Sequence, residues 1–343
     1  MKQQYQDYML QQLRALMAID SPSGYTGDID RYVAEELTRL GFRPELPNKG
    51  GVRVHLGGEG TPILLQAHLD TLGAMVTGIK SNGRLTMTNI GGVPSCSVES
   101  TNVKIKTRFD GEYQGTIQLV NPSVHVNTNA KTTLRDLTSN MEIVLDTDVH
   151  SAEDVAALGI RPGDHVAFDP NLTFASNGYI KSRFLDDKAC VAIVLALAKQ
   201  IAEEQLTPRR SVWAYFTIYE EVGHGGAYSI PEGIEEALSL DMGCVGEGMS
   251  GDEHRVSICA KDAVSPYNYD VTTALLKTAL DNHISHAMDV YRSYSSDADV
   301  TLKAGYDVKH GLIGPGVFAS HGYERTHLDG LNATFDLLCG YLL

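Results

Sequence analysis

The chain contains 343 residues, of which 43% are hydrophobic, so it is long enough to form two domains with large cores. Its 43 acidic and 28 basic residues give a formal net charge of -15 at pH 7. This charge argues against nucleic acid and anionic membranes as partners, because both require basic patches. The five cysteines lack CxxC spacing, no apolar run approaches a membrane span, and the amphipathic start MKQQYQDYMLQQLRALM lacks the core of a signal peptide. We therefore expect a cytoplasmic protein.

Residues up to about Asp70 predict the beginning of an α/β domain. Two helices come first, with the sequences MKQQYQDYMLQQLRALM and IDRYVAEELTRLGF, and the loop SPSGYTGD separates them. Two apolar strands follow, VRVHL and PILLQAH. The last of these strands ends at His68 and Asp70, and alternate residues of an extended chain share one face. His68 can then offer one ring nitrogen to a metal while Asp70 holds the tautomer through the other.

A second pattern runs from about residue 72 to about residue 176. It consists of short alternating segments, among them RLTMTNI, VKIKTRF, GTIQLV and MEIVLDT, separated by Gly, Asn and Pro. Such spacing predicts an all-β barrel or sandwich. We expect residues 72–176 to form an inserted β domain, and residues 1–71 and 177–343 to form one discontinuous catalytic domain.

The α/β pattern resumes with GYIKSRFLDDKACVAIVLALAKQ, in which Asp186 and Asp187 precede an apolar helix. A helix N-cap beside the helix dipole would by itself explain these two residues. Further along, Asp241 ends the apolar strand ALSLD. Ligands of open α/β sheets collect at the carboxyl ends of the strands, so these carboxylates and His68 are candidates for one site.

The most informative feature is the adjacent pair Glu220 and Glu221, which follows the apolar strand VWAYFTIY. Two neighbouring carboxylates raise each other's pKa unless a cation lies beside them, and a divalent metal is the usual compensation. A solvated acidic loop is the alternative interpretation of the pair taken alone.

Taken together, the motifs HLDT, GYIKSRFLDDKAC, IYEEVGHGGA and SLDMG, followed by a C-terminal His, stand in an order that resembles the glutamyl or tetrahedral aminopeptidase family. This family is related to the cocatalytic zinc exopeptidases, and the resemblance extends over nearly the whole chain. It implies a three-layer α/β/α catalytic domain with an inserted barrel-like domain that serves assembly and substrate access.

The resemblance also implies a centre of two divalent ions, zinc or cobalt. Asp186 would bridge the two ions. The peptide bond between Asp186 and Asp187 would be cis. The other metal ligands would be His68, Asp241, Glu221 and His321, the first two on one ion and the last two on the other. Glu220 would remain unligated as general base, and Asp70, which follows the strand ending at His68, would be the second catalytic residue.

The C-terminal ligand departs from the family pattern. Family members show an acidic residue four positions after the ligand His, whereas Arg325 stands there after His321, with Glu324 one position early. We predict His321 as the ligand because it ends an apolar run at the usual distance from the terminal helix. His327 is the alternative ligand and otherwise lies near the pocket or in the helix start. Asp297 is expected either to contact the substrate amine or to cap a helix.

The resemblance implies a metal-dependent aminopeptidase that acts on short peptides and assembles from dimers, up to a dodecamer. A related metallo-amidase or deacylase acting on N-acylated dipeptides remains open because of the departure around His321. A metal-free peptide-binding scaffold also remains, although it would gain nothing from two uncompensated glutamates. A glycosidase needs two carboxylates but no ligand histidines, so this alternative ranks last.

Overall fold

The computed structural model describes residues 1–109 and 111–343, and the chain divides into two compact units. The first unit is discontinuous and comprises Met1–Asp70 and Asn171–Leu343. The second unit is continuous and comprises Thr71–Pro170. Each unit has buried aliphatic side chains of its own, so each contains a hydrophobic core.

Seven α-helices are present among the described residues. They are α1 Gln3–Met17, α2 Gly27–Arg39, α3 Ala152–Ala157, α4 Leu185–Glu204, α5 Tyr269–Asp281, α6 Asp297–Lys303 and α7 Leu328–Leu342. Only α3 belongs to the second unit. None of the helices in the described ranges is long and apolar enough to cross a membrane.

The described residues also form strands β1 to β17 in chain order. They are β1 Val52–Gly57, β2 Ile63–His68, β3 Gly73–Ile79, β4 Leu85–Ile90, β5 Asn102–Lys106, β6 Glu112–Leu119, β7 Met141–Leu145, β8 His165–Phe168, β9 Thr173–Phe174, β10 Tyr179–Ser182, β11 Val212–Thr217, β12 Glu236–Leu240, β13 Gly243–Val245, β14 Val256–Lys261, β15 His286–Val290, β16 Lys309–Phe318 and β17 Glu324–His327.

The first unit is organised around one mixed sheet. Strand β1 is antiparallel to β11, and β11, β2, β12 and β16 then follow as parallel neighbours in that order. Every residue of β2 is buried, as expected for a central strand covered on both faces. The carboxyl ends of β11, β2 and β12 therefore lie side by side at one edge of the sheet.

Helices cover both faces of this sheet. Leu238 and Ser239 are consecutive in β12 and point to opposite faces. On the Leu238 face, Gly311 of β16 leaves room for Val271 of α5, and α7 contacts both α5 and α4. On the Ser239 face, the hydroxyl of Ser239 accepts a hydrogen bond from the first turn of α6. The predicted α/β/α arrangement is confirmed.

The second unit contains a closed barrel with the strand order β3-β4-β7-β6-β5-β8. Paired aliphatic residues on neighbouring strands are fully buried, as with Ile117 and Ile143, or Ile105 and Val166. Alternation of apolar and polar residues thus yields one buried face per strand, and closure of the sheet leaves no free edge. The barrel-like insertion predicted from the sequence is confirmed.

Candidate active site

Three neighbouring strand ends bring the predicted residues together. His68 is the last residue of β2, and its sheet neighbour in β11 is Thr217. Beyond Thr217 the chain turns into a short 3-10 helix that carries Glu220 and Glu221. Asp241 directly follows β12, the neighbour of β2 on its other side. Since parallel strands end at the same edge, the order of the strands alone assembles these side chains.

Asp186 lies at the centre of the site. Its Oδ1 is 3.2 Å from Nε2 of His68, and its Oδ2 is 3.7 Å from Nε2 of His321. The same ring nitrogen of His321 is 3.7 Å from Oε2 of Glu221. The peptide bond from Asp186 to Asp187 is cis, as expected. One carboxylate thus faces two imidazoles with different oxygens.

Among the described residues three sets of ligand atoms are close enough to hold a metal ion; one of them, His254, His327 and Asp329, lies outside the cavity lining, and the other two belong to this site. Of these two, the first contains His68, Asp186 and Glu221, and the second contains His68, Glu220 and Asp241; within each set the atoms lie within 4.8 Å of one another. Both sets share His68, and neither includes His321, whose side chain is 36% exposed. The residues predicted as ligands are therefore brought together, and Glu220, expected to be unligated, lies among them.

The site opens into a cavity of about 460 Å³. One side of the cavity is formed by Asp186, Glu220, Glu221, Asp241 and His321. Among the described residues that line it, none is a lysine or arginine.

Burial of these carboxylates has a clear electrostatic cost. Burial and nearby carboxylates raise the pKa of Glu220 and of Glu221 well above the ordinary value. Burial and the Asp186 carboxylate raise the pKa of Asp241 to about 8. Burial by itself would lower the pKa of the His68 imidazole and raise that of the Asp186 carboxylate. The hydrogen bond between these two groups outweighs burial, so the pKa of His68 is raised and that of Asp186 is lowered. A concentration of buried carboxylates without a lysine or arginine fits binding of divalent cations.

Asp70 acts on the backbone of the glutamate pair. Its Oδ1 accepts a hydrogen bond from the N–H of Glu220 at 3.1 Å, and its Oδ2 accepts one from the N–H of Glu221 at 3.4 Å. Oδ2 also accepts from the hydroxyl of Ser23. The tautomer of His68 is held differently from our expectation, because Nδ1 is 2.9 Å from the backbone carbonyl oxygen of Asp70 and 3.8 Å from its carboxylate. The Nδ1–H donates to this carbonyl, which leaves Nε2 facing Asp186.

Glu324, which the sequence indicated only as an acidic residue one position early, connects two parts of the site. Its carboxylate accepts hydrogen bonds from the N–H of His321 at 3.0 Å and from the N–H of Asp186 at 3.1 Å. The side chain is 2% exposed. The guanidinium of Arg325 instead lies 3.7 Å from the ring centre of Tyr179. The signal that could have found Glu324 is its position three residues after His321, which lets an acidic side chain reach back to the His backbone.

His327 is engaged outside the cavity lining. Its Nε2 donates to the carbonyl of Asn177 at 2.8 Å, and its Nδ1 accepts from the N–H of Asp329 at 3.1 Å as the N-cap of α7. His254 packs against it with ring centroids 4.0 Å apart. His327 thus lies at the helix start, one of the two positions that we considered for it.

Asp297 supports the loop that carries the glutamate pair. Its carboxylate accepts hydrogen bonds from the N–H of Gly226 at 2.6 Å and from the hydroxyl of Thr217. Gly225 contacts the same carboxylate so closely that an added Cβ would lie 2.4 Å from it. Asp297 is the first residue of α6, but the N-cap is Ser296, so the capping expected for Asp297 is wrong, and its carboxylate binds this loop and the end of β11 instead.

Comparison with known proteins agrees with this geometry. Residues 50–337 match the model of the M42 glutamyl aminopeptidase family. This chain belongs to that family. The resemblance read from the sequence is confirmed, and so is the enzyme class, a peptide hydrolase of the exopeptidase type.

Members of the family with curated names include two informative relatives. YhfE of Bacillus subtilis (strain 168) is 42% identical over 332 residues, which cover 96% of each chain. The lysyl aminopeptidase of Pyrococcus furiosus is 28% identical over 233 residues, which cover 65% of this chain and 63% of the relative.

Solved structures share the fold at lower identity. The aminopeptidase APDkam598 from Desulfurococcus kamchatkensis has a TM-score of 0.86 and 23% identity, covering 98% of this chain and 95% of its own. PhTET1-12s, a dodecamer, has a TM-score of 0.84 and 22% identity, covering 97% of this chain and 98% of its own. Both confirm the α/β fold of this M42 chain.

Proposed function

We propose that the protein is a metal-dependent aminopeptidase that removes N-terminal residues from short peptides. The observation that carries this proposal is the position of Asp186, whose two carboxylate oxygens face His68 at 3.2 Å and His321 at 3.7 Å. A carboxylate between two imidazoles, with further carboxylates beside it, is a donor set that suits two divalent ions such as zinc or cobalt.

The proposed ligands follow from this central carboxylate. His68 and Asp241 would hold one ion, Glu221 and His321 would hold the other, and Asp186 would contact both. When bound, the two ions would polarise the scissile carbonyl and lower the pKa of a water molecule towards about 7. The backbone contacts of Asp70 and Glu324 would hold these ligands in place before the ions bind.

Glu220 is the proposed general base. Its Oε2 lies 3.8 Å from Nε2 of His68, and its side chain is 14% exposed at the cavity, where solvent can reach it. Burial raises its pKa, which strengthens the carboxylate as a base at neutral pH. It would take a proton from the attacking water and deliver that proton to the leaving amine. The hydrogen bond from its N–H to Asp70 supports its position in this role.

The test uses the full chain stripped of metal with a chelator. Zinc, cobalt or manganese is then added, and each sample is assayed with leucyl p-nitroanilide and with an N-acetylated dipeptide. We expect no turnover without metal and metal-dependent release of p-nitroaniline. Undiminished activity in the metal-free protein would contradict metal dependence. Turnover confined to the acylated substrate would favour a metallo-amidase or deacylase instead.

We also propose that the chain forms a homo-oligomer in which the barrel unit serves assembly and substrate access. The dodecameric state of PhTET1-12s supports this proposal. Light scattering coupled to size-exclusion chromatography measures the assembly directly. A mass equal to one 37.3 kDa chain at micromolar concentration would contradict it.

A further inference from the structure

A second part of the cavity lining carries no charge. We call this the neutral wall. Its members come from two segments of the chain, the turn after β14 and the stretch before α6, and they are Ala263, Val264, Ser293, Tyr294 and Ser295. Since the charged residues of the lining are proposed metal and proton-transfer groups, the neutral wall is the surface left to contact the side chain of a bound N-terminal residue.

Hydrogen bonds hold the two segments of the neutral wall together. The N–H of Ala263 donates to the carbonyl of Tyr294 at 3.0 Å. The buried carboxylate of Asp262 accepts from the N–H of Val264 at 2.8 Å and from the hydroxyl of Tyr267 at 2.9 Å. The wall is therefore a fixed surface, and a substrate side chain must fit what it offers.

The two cationic residues that flank the wall in the sequence do not line the cavity. Lys261 precedes the turn, but its ammonium donates to the carbonyl of Asp262 at 2.7 Å, and its side chain does not line the cavity. Arg292 precedes the second segment, but it is exposed and also lies outside the lining. Among the cavity residues that the structure describes, only His321 can carry a positive charge, and it is assigned to metal.

An acidic side chain would therefore enter this cavity without a partner. Contact with Ala263 and Val264 would displace part of its hydration, and the described residues of the lining offer no lysine or arginine to compensate. A neutral side chain of the same size loses no charge hydration. The serine hydroxyls of the wall can also donate to an amide or pack against an aliphatic chain.

We infer that this enzyme selects peptides whose N-terminal residue is neutral and rejects acidic N-terminal residues, with Val264 as the specificity-determining residue. The inference rests on the proposed aminopeptidase function. The inferred preference differs from the glutamyl substrate after which the family is named. Val264 is the appropriate residue because it is 38% exposed at the cavity, so a longer side chain can be placed there without displacing the core.

The experiment compares glutaminyl and glutamyl p-nitroanilides, which are nearly equal in size and differ in charge, with the metal-loaded full chain. We expect kcat/KM for the glutaminyl substrate to exceed that for the glutamyl substrate by about tenfold or more, because a charge that loses part of its hydration without gaining a cationic partner is discriminated against. The variant Val264→Arg supplies the missing cation. It should raise kcat/KM for the glutamyl substrate at least about tenfold and reduce the glutaminyl to glutamyl ratio correspondingly.

Leu280→Arg is the matched control, because it adds the same charge on the exposed face of α5, and it should keep the wild-type ratio. Equal or faster wild-type turnover of the glutamyl substrate would overturn the inference while leaving the aminopeptidase function intact. An unchanged ratio in a folded Val264→Arg variant would overturn the role of Val264. Failure of leucyl, glutaminyl and glutamyl substrates alike, with every metal, would overturn the proposed function and the inference together.

Discussion

The carboxylate of Glu324 accepts a hydrogen bond from the backbone N–H of His321 at 3.0 Å. The other oxygen of the same carboxylate accepts from the N–H of Asp186. One buried side chain therefore connects the turn that carries His321 to the start of α4. Burial and the Asp186 carboxylate raise the pKa of Glu324 well above the ordinary value, so the connection is sensitive to the charge of the site.

Replacement of Glu324 should weaken metal binding without removing a ligand. In Glu324→Gln, the amide NH₂ faces one backbone N–H where an oxygen accepted before, so either His321 or Asp186 loses its support. We expect metal affinity to fall about 10 to 100-fold, the usual effect of outer-shell changes. Isothermal titration with zinc measures it. Arg325→Gln is the neighbouring control, and equal losses in both variants would contradict the role of Glu324.

Replacement of Glu220 and replacement of Glu221 should have different effects on turnover and on metal occupancy. Glu220→Gln removes only the proposed proton acceptor, so we expect both ions to remain and kcat to fall by a factor of about 100 to 10,000. Glu221→Gln should lower metal occupancy first. Metal analysis together with steady-state kinetics decides between the roles. Loss of an ion from Glu220→Gln alone would show that Glu220 is a ligand, as its proximity to His68 and Asp241 would also permit.

The two C-terminal histidines should also differ. His321→Ala should leave about one tightly held ion per chain, because His321 faces both Asp186 and Glu221 at 3.7 Å. His327→Ala should keep two ions and instead destabilise the fold by about 1 kcal/mol, because it removes the N-cap of α7. Metal analysis and thermal unfolding measure the two effects. Loss of an ion from His327→Ala would reverse the assignment.

The metal-free protein should become less stable as pH rises. Asp241 has its pKa raised to about 8, and those of Glu220, Glu221 and His68 are also raised, so the folded state holds protons that the unfolded chain releases. The free energy of unfolding then decreases with pH, from the ordinary carboxyl range near 4 up to about 8. Metal affinity should rise over the same range, because ions displace these protons.

Thermal unfolding between pH 5 and pH 8, with and without zinc, tests this dependence. We expect Tm of the metal-free protein to fall and the stabilisation by zinc to grow. Asp241→Asn removes one of the titrating groups, so its metal-free Tm should depend less on pH. A metal-free Tm that increases from pH 5 to pH 8 would contradict the electrostatic account.

The sequence alone predicted the fold and which residues lie together at the candidate site. Apolar strands that end in His68, Glu220 and Asp241 predict convergence at one sheet edge, because neighbouring parallel strands end together. The alternating segments of the insertion predicted its strands, since a period of two marks a sheet with one buried face. The order of the motifs indicated the family before any distance was known.

The tertiary structure decided which groups hold those residues in place. Three carboxylates accept hydrogen bonds from the backbone of other segments: Glu324, Asp70 and Asp297. Such contacts produce no periodicity or fixed spacing in the sequence, which shows only that an acidic residue is present. The sequence favoured His321 over His327 as a ligand, and the structure adds that the ring of His321 faces Asp186 whereas the ring of His327 bonds to Asn177 and Asp329. The neutral wall likewise joins two segments that are distant in sequence, because hydrogen bonds across the fold, rather than local pattern, bring Ala263 and Tyr294 together.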